Sequence, residues 1–343
     1  SRYRSAVANP IQDIFNKING RFEEIAEKNP ENLKDVNWLR ENVPFTGELL
    51  LGHLRYGTYG KNSIEYCHPF LRQNNWMSRN LVLAGNFNLT NVDELFKQLI
   101  DIGQHPKEKS DTVTMIEKIG HFLDEENGRL YQKHKESGMG AVEISKTIAE
   151  EIDIQRILVE SCKKWDGGYV ITGMMGHGDA FILRDPSGIR PAFYYQDEEV
   201  IVATSERPAI QTAFNIGHEN IKEITPGHAL VIKKSGALSE VKIREPLEKK
   251  ACSFERIYFS RGTDIDICNE RKELGRTVCP TILESIDYDI KNSVLSFIPN
   301  TAETAFYGMI RGIESYLNDV KKDKIKALGN NPDPDKLSEI MTI

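Results

Sequence analysis

The stretch YVITGMMGHGDAFILRDPSGIRPAFYYQDEEVIVA, residues 169–203, decides the fold class of this chain. Its four short apolar runs are separated by Gly, Asp and Pro, residues that favour tight turns. Short runs rich in Val, Ile, Phe and Tyr between such turns predict strands of antiparallel sheets. Two more runs, 229–233 and 238–243, lie on either side of Ser235-Gly236 and predict a further hairpin.

Two apolar runs nearer the start of the chain also predict strands. One covers 48–54, and the other covers 81–84 and ends at Gly85-Asn86. Helical spacing follows these runs, so helices are grouped between blocks of strands. That grouping predicts helices packed on the faces of antiparallel sheets.

Three helices are predicted between the strand blocks. The apolar face of the first carries Val92, Leu95, Phe96, Leu99 and Ile100. Thr90 and Asp93 form a plausible capping pair for it. The second helix begins near Ser110, and the third covers about 142–165.

A domain boundary is predicted in the charged segment 245–251, because 343 residues exceed one ordinary core. The elements predicted beyond it are, in order, a strand over 256–260, a helix over 271–286, a strand over 294–298 and a helix over 302–320. This alternation predicts the opening of a parallel α/β domain. We therefore expect one domain over 1–250 and the beginning of a second over 251–343.

Composition limits the expected partners. A net charge of −7 gives no general attraction to nucleic acid or to an anionic membrane, so neither is expected as a partner. No run approaches the roughly 20 apolar residues that span a bilayer. The five cysteines include no Cys-x-x-Cys pair, which argues against a disulfide framework and favours the reducing cytoplasm.

Three polar clusters lie at the ends of predicted apolar elements. Arg55, in a glycine-rich stretch, offers a planar fork that can hold a carboxylate. Asn86 places a side-chain amide beside a backbone N–H, and two donors aimed at one point suit an oxyanion. Asp111 lies in the first turn of a helix, where a carboxylate could pair with a substrate ammonium.

Each cluster alone also has an ordinary structural explanation. Arg55 could be a surface residue before a glycine turn, 86–91 an Asn-rich turn, and Asp111 part of a plain helix cap. The pair Cys67-His68 is interpreted as structural, because neighbouring residues on a strand point to opposite faces. The order of the three clusters along the chain favours a shared site.

In that order the clusters resemble the glutamine pocket of class II, N-terminal-nucleophile amidotransferases. Six segments carry the resemblance, and the family pattern that each one resembles is given in parentheses. They are 53–60 (His-x-Arg-Tyr-x-Thr-x-Gly), 86–91 (Asn-Gly-Asn-Leu-Thr-Asn), 110–112 (Ser-Asp-Thr), 184–191 (Arg-Asp-Pro-x-Gly-x-Arg-Pro), 203–206 (Ala-Ser-Glu) and 225–227 (Pro-Gly). Beyond them, 252–261, the pair Arg271 and Gly275, and 297–302 resemble the amidophosphoribosyltransferase family.

The resemblance implies a fold and a reaction. The fold would be an α+β four-layer (αββα) N-terminal-nucleophile hydrolase-like sandwich over 1–250, then the start of an α/β phosphoribosyltransferase domain. The expected substrates are glutamine and phosphoribosyl pyrophosphate, which would give 5-phosphoribosylamine for purine biosynthesis. Mg²⁺ is expected in the phosphoribosyltransferase domain, and a homo-oligomer is expected.

The resemblance also implies roles for single residues. Arg55 would hold the carboxylate of glutamine, and Thr58 would contribute polar contacts. Asp111 would pair with the ammonium group of glutamine. The Asn86 side chain and the Phe87 backbone N–H would form the oxyanion hole.

Three departures from the family pattern matter. Residue 1 is Ser and no Cys-Gly-Ile-like start follows, so we expect the N-terminal Cys nucleophile to be missing from this chain. Phe87 stands where the family has Gly, and crowding or a different φ would alter the site. The acidic phosphoribosyl-pyrophosphate loop would lie beyond residue 343. Apart from these departures, Cys252 stands where some relatives ligate an iron–sulfur cluster, although cluster-free relatives also have Cys there. One thiolate cannot hold a cluster, so a packed thiol is favoured and cluster content stays open.

Two alternatives remain at this point. One is a catalytically inactive paralogue that binds glutamine or a nucleotide as a regulator. The other is a different class II amidotransferase, which would pass ammonia to another acceptor.

Overall fold

The structure is a computed structural model that describes residues 1–54, 64–106 and 108–343. The chain divides into two compact units. The first comprises Ser1–Ser205 and Lys222–Ala251, and the second comprises Glu206–Ile221 and Cys252–Ile343. The second unit is therefore built from two separate stretches of the chain.

The first unit mixes helices with strands. Its helices within the described residues are α1 (Pro10–Lys28), α2 (Val36–Asn42), α3 (Val92–Asp101), α4 (Asp111–Glu136), α5 (Ala141–Glu151) and α6 (Ile154–Cys162). Its strands there are β1 (Phe70–Arg72), β2 (Leu81–Leu89), β3 (Gly167–Met175), β4 (Ala180–Arg184), β5 (Phe193–Gln196), β6 (Ile201–Thr204), β7 (Lys222–Glu223), β8 (His228–Ile232) and β9 (Leu238–Lys242). The described part of the second unit contains α7 (Arg207–Phe214), α8 (Ile265–Ser285), α9 (Glu303–Ala327) and α10 (Pro334–Met341).

Two antiparallel sheets form the centre of the first unit. In the described residues, the larger sheet has the strand order β1-β2-β3-β4-β8-β9 and the smaller one the order β6-β5-β7. The strands predicted over 169–243 are confirmed, because local alternation and turn residues define each hairpin. The first unit is thus a mixed α/β structure with antiparallel sheets.

Apolar side chains fill both faces of the larger sheet. On one face, Leu83 and Ile171 belong to a buried cluster with residues of α3, α4 and α6, including Leu95. On the other face, Val170 belongs to a second cluster with Tyr194 of the smaller sheet. Neighbours such as Val170 and Ile171 enter different clusters because successive side chains point to opposite faces. The layers are therefore helices, larger sheet and smaller sheet.

Helix predictions differ from the structure mainly at helix ends. The helix predicted over 142–165 is two helices, because Asp153 caps α6 by accepting a hydrogen bond from the N–H of Arg156 (2.9 Å). The helices predicted over 271–286 and 302–320 are confirmed as α8 and α9. Among the described residues, no helix is both long and apolar enough to cross a bilayer.

Three strand predictions are wrong. Residues 48–54 form no strand, and 256–260 fall largely in one π-helical turn, Glu255–Phe259. Residues 294–298 are also irregular, with Val294 94% and Ile298 83% exposed. A short apolar run becomes a strand only where another strand pairs with its backbone. The predicted α/β alternation is thus absent from the described part of the second unit, which is helical.

Candidate functional site

The predicted oxyanion residues lie inside a strand, not in a turn. The strand that was predicted to end at Gly85-Asn86 continues as β2 to Leu89 and pairs with β3 along its whole length. On its other side, β1 pairs only with Leu81–Leu83. From Ala84 onward β2 therefore has an edge that β1 does not cover.

The backbone N–H of Phe87 points out of this edge. Phe87 lies opposite Tyr169 in the pairing of β2 with β3. The carbonyl of Tyr169 instead accepts from the N–H of Asp185 (2.8 Å), so its backbone faces β4. In an antiparallel ladder, opposite residues that do not bond each other direct their N–H groups outward. The N–H groups of Gly85, Phe87 and Leu89 thus share the uncovered edge.

The first and last of these N–H groups already have acceptors. Gly85 donates to Nδ1 of His68 (3.2 Å), and its carbonyl accepts from Nε2 of His53 (3.1 Å). Leu89 donates to Oδ2 of Asp111 (3.4 Å). Between them, the described residues supply no acceptor for the N–H of Phe87. The Phe87 N–H is therefore available at the edge, on the same side of the strand as the Asp111 carboxylate.

The Asn86 side chain lies beside this donor but leaves the sheet in another direction. Asn86 pairs with Val170, so both side chains project from the face that meets the smaller sheet. The Phe87 side chain is on the opposite face and packs on the cluster beneath the helices. The two groups therefore lie at neighbouring positions of β2, the Phe87 N–H at the edge and the Asn86 side chain on the face toward the smaller sheet.

Asp111 is the first residue of α4, but it does not cap the helix. Ser110 is the cap, because its Oγ accepts from the N–H of Val113 (3.3 Å). Burial raises the pKa of Asp111, although the N–H groups of Leu89 and Asp111 itself oppose the rise. No cation among the described residues pairs with this half-buried carboxylate. It is therefore suited to a positively charged ligand group.

Two predicted glutamine-binding residues, Arg55 and Thr58, lie outside the described residues, and their roles stay predictions. Two histidines that were not predicted as site residues lie at the same edge. The rings of His53 and His68 stack with centroids 4.4 Å apart, and His68 lies 5.6 Å from the Phe87 ring. The spacing of His53 and His68 from Gly85, 32 and 17 residues, leaves no local sequence signal for these contacts.

The predicted capping pair, Thr90 with Asp93, is wrong. The hydroxyl of Thr90 donates to the carboxylate of Asp166, and its N–H donates to the carbonyl of Asp166 (2.9 Å). The side chain of Asn91 bonds the carbonyl of Lys164 (2.8 Å). The end of β2 is thus tied to the segment that leads into β3, which holds the edge in place.

The Arg184-Asp185 pair in the segment 184–191 has a structural role. Asp185 is fully buried and accepts from the N–H groups of Ser187 (3.0 Å), Ile189 (2.9 Å) and Arg190 (3.1 Å). Arg184, 1% exposed, donates to the carbonyls of Arg190, Ile224 and Gly188 and to Glu223. Both side chains are occupied by bonds that hold the loop between β4 and β5.

Comparison with known proteins gives consistent relatives. No protein-family profile matches the chain. It is 27% identical over 267 residues to the amidophosphoribosyltransferase of Archaeoglobus fulgidus, covering 76% of this chain and 50% of that protein. It is 29% identical over 287 residues to the Pseudomonas aeruginosa enzyme of the same name, covering 80% and 51%. The chain thus spans about half the length of the curated relatives it matches.

A solved structure shares the fold. It is described as the allosteric regulatory enzyme of purine biosynthesis and aligns with a TM-score of 0.50 at 24% identity. The alignment covers 76% of this chain and 48% of that one.

Proposed function

This chain is a relative of the amidophosphoribosyltransferases, and we propose that its first unit binds glutamine at the uncovered edge of β2. The complete protein would release ammonia from glutamine and transfer it to phosphoribosyl pyrophosphate, giving 5-phosphoribosylamine. The observation that carries the proposal is the backbone N–H of Phe87, which has no acceptor among the described residues. It lies next to Asn86 in the strand and two residues before Leu89, whose N–H donates to Asp111.

Geometry along the strand supports glutamine as the ligand. The N–H groups of Phe87 and Leu89 are two residues apart, or roughly 7 Å along an extended strand. The Asp111 carboxylate accepts from the N–H of Leu89. The distance between the Phe87 N–H and the Asp111 carboxylate is therefore comparable to the length of an extended glutamine molecule. The ammonium of glutamine would pair with Asp111 while its amide reaches Phe87.

The proposed chemistry is acyl transfer through a cysteine. In the complete protein, an N-terminal Cys with its own α-amino group as base would attack the side-chain amide carbon of glutamine. The negative charge that develops on the amide oxygen would be stabilised by the Phe87 N–H and the Asn86 amide. The C–N bond then breaks, and the nitrogen leaves as ammonia after accepting the proton. Arg55 and Thr58 are assigned to the substrate carboxylate from the sequence resemblance.

The finer fold is part of the same proposal. We assign the first unit to a four-layer αββα sandwich and the second to the start of a phosphoribosyltransferase domain. No three metal-ligating side chains converge anywhere in 1–54, 64–106 or 108–343. Mg²⁺ in the phosphoribosyltransferase domain stays part of the proposal, because Mg²⁺ is usually held by one or two carboxylates together with substrate phosphates. Iron–sulfur content stays open, and no step is assigned to either group in this chain. A homo-oligomer remains part of the proposal.

Glutamine binding to Asp111→Asn tests the pocket directly. A charge-assisted hydrogen bond contributes about 1.5–3 kcal/mol, so glutamine affinity measured by calorimetry should fall by about tenfold or more. The matched control is Asp93→Asn, the same substitution in the first turn of α3, where the carboxylate is 84% exposed and faces Lys109. Equal losses in the two variants, or no loss in Asp111→Asn, would show that the pocket is misassigned.

Activity of the complete protein separates the alternatives. The proposed enzyme forms phosphoribosylamine from glutamine, and Arg55→Ala should raise its glutamine KM while ammonia-driven synthesis persists. An inactive paralogue would bind glutamine without hydrolysing it. A different class II amidotransferase would hydrolyse glutamine but leave phosphoribosyl pyrophosphate unchanged.

A further inference from the structure

An open cavity of about 1030 Å³ lies in the first unit, at the opposite end of the larger sheet from the candidate glutamine site. Its floor includes the turn between β3 and β4. This turn lies at the far end of the sheet, because it follows Met175, which pairs with Leu81 at the start of β2. The turn between β8 and β9, the segment 75–78 and one side of α5 complete the lining. No residue of the cavity takes part in the proposed glutamine chemistry.

One wall of the cavity is apolar and exposed. It is formed by Trp76, Met77, Ala141, Val142 and Ala149. The exposed fractions of Trp76, Met77 and Val142 are 37%, 63% and 77%. Adjacent large apolar side chains that remain exposed mark binding surfaces more often than scattered ones do. The flat indole of Trp76 and the Met77 and Val142 side chains suit an apolar ring.

A buried histidine that lines the cavity has one ring nitrogen without a hydrogen bond. His177 is 5% exposed, and its Nδ1 has no hydrogen-bond partner among the described residues. Its Nε2 lies 3.0 Å from Oδ2 of Asp179, so this nitrogen faces a carboxylate and Nδ1 is the one left without a partner. Buried polar groups are nearly always bonded, so an unbonded one beside a cavity indicates a missing partner.

The polar side of the cavity carries surplus positive charge. Asp179 is already satisfied, because Lys233 pairs with it and the N–H of Lys234 donates to it (2.8 Å). The remaining charged groups in the lining are the side chains of Lys146, Lys234 and Glu150. The first turn of α5 lacks a side-chain cap but carries Glu143, so the surplus positive charge of the lining comes from Lys146 and Lys234. An anion is therefore favoured over a cation.

We propose that this cavity binds a small organic anion that carries an apolar ring. The ring would lie against Trp76, Met77 and Val142. Its carboxylate or phosphate group would face Lys146 and Lys234, and it would accept a hydrogen bond from His177. This is a second ligand site, independent of the glutamine pocket.

Calorimetry on the chain with 2-naphthoate and with uncharged 2-naphthamide separates the contribution of the positively charged side of the cavity from that of the apolar wall. We expect one saturable site for 2-naphthoate and at least tenfold weaker binding of 2-naphthamide. A parallel titration with 2-naphthyl phosphate shows which anionic group is preferred. Equal affinities for 2-naphthoate and 2-naphthamide, or no saturable binding of any anionic probe, would overturn the proposal.

Surface variants locate the binding without disturbing the fold. Lys234→Glu should weaken 2-naphthoate at least fivefold and leave 2-naphthamide unchanged. Val142→Asp should weaken both ligands, and it is tolerated because an acidic residue suits the first turn of α5. The control Lys242→Glu makes the same charge change on β9, outside the cavity lining. A loss as large in Lys242→Glu as in Lys234→Glu would refute the location.

Discussion

Replacing Gly275 with Ala tests the closest helix contact in the second unit. A Cβ built on Gly275 would overlap the backbone carbonyl oxygen of Ala305 and lie 2.7 Å from the backbone N of Met309. Gly308 meets the backbone of Lys272 in the same way from α9. The obstructing atoms are backbone, so no side-chain rotation can make room. The two helices would have to move apart.

The magnitude follows from two opposing effects. Ala is favoured over Gly inside a helix by about 1 kcal/mol. Overpacking a tight contact costs about 1–3 kcal/mol, and separating α8 from α9 also loosens the cluster of Cys279, Leu283, Met309 and Ile313. We expect the free energy of unfolding of the second unit to fall by about 2 kcal/mol.

Urea unfolding followed by far-ultraviolet circular dichroism provides the measurement, with Gly128→Ala as the control. Gly128 is an exposed mid-helix residue of α4, and a Cβ added there meets nothing within 4 Å. Gly128→Ala should raise stability by up to about 1 kcal/mol, which is the helix propensity gain alone. If Gly275→Ala stabilises the protein as Gly128→Ala does, the close approach of α8 and α9 is wrong.

Two further predictions concern carboxylates and pH. Burial alone would raise the pKa of Asp264, but the Arg207 guanidinium (2.6 and 2.8 Å) and two backbone N–H groups outweigh burial and hold that pKa below its usual range. A lowered carboxyl pKa stabilises the fold above the unfolded pKa and ceases to do so as pH falls through the folded pKa. Asp264→Asn should therefore cost about 3 kcal/mol at pH 7 and flatten the acid side of the stability–pH curve, and an unchanged curve would contradict the pairing. The pKa of Asp111 is shifted in the opposite direction, upward, so the charged carboxylate is disfavoured in the folded protein. Thermal denaturation of Asp111→Asn at pH 7 should show equal or higher stability alongside weaker glutamine binding, and a clear loss of stability would indicate a structural role for the carboxylate.

The antiparallel strands and most helices could be predicted from the sequence because their signals are local. In 169–203, turn residues separate each apolar run, and the structure places a strand within each of those runs. The apolar face of α3 is likewise evident from its spacing, with Leu95 and Leu99 fully buried. The apolar runs at 48–54 and 294–298 carry the same local signal but form no strand.

The sequence by itself therefore determined the strands within 81–84 and 169–243, the buried face of α3 and the order of the candidate site residues. Tertiary structure alone decided that β1 begins only at Phe70, so that no strand of the described residues pairs with the Phe87 N–H, and that Asp111 reaches Leu89. The reason is the range of the interactions. Periodicity and capping act over a few residues, whereas strand pairing and edge contacts join residues that only the folded chain brings together.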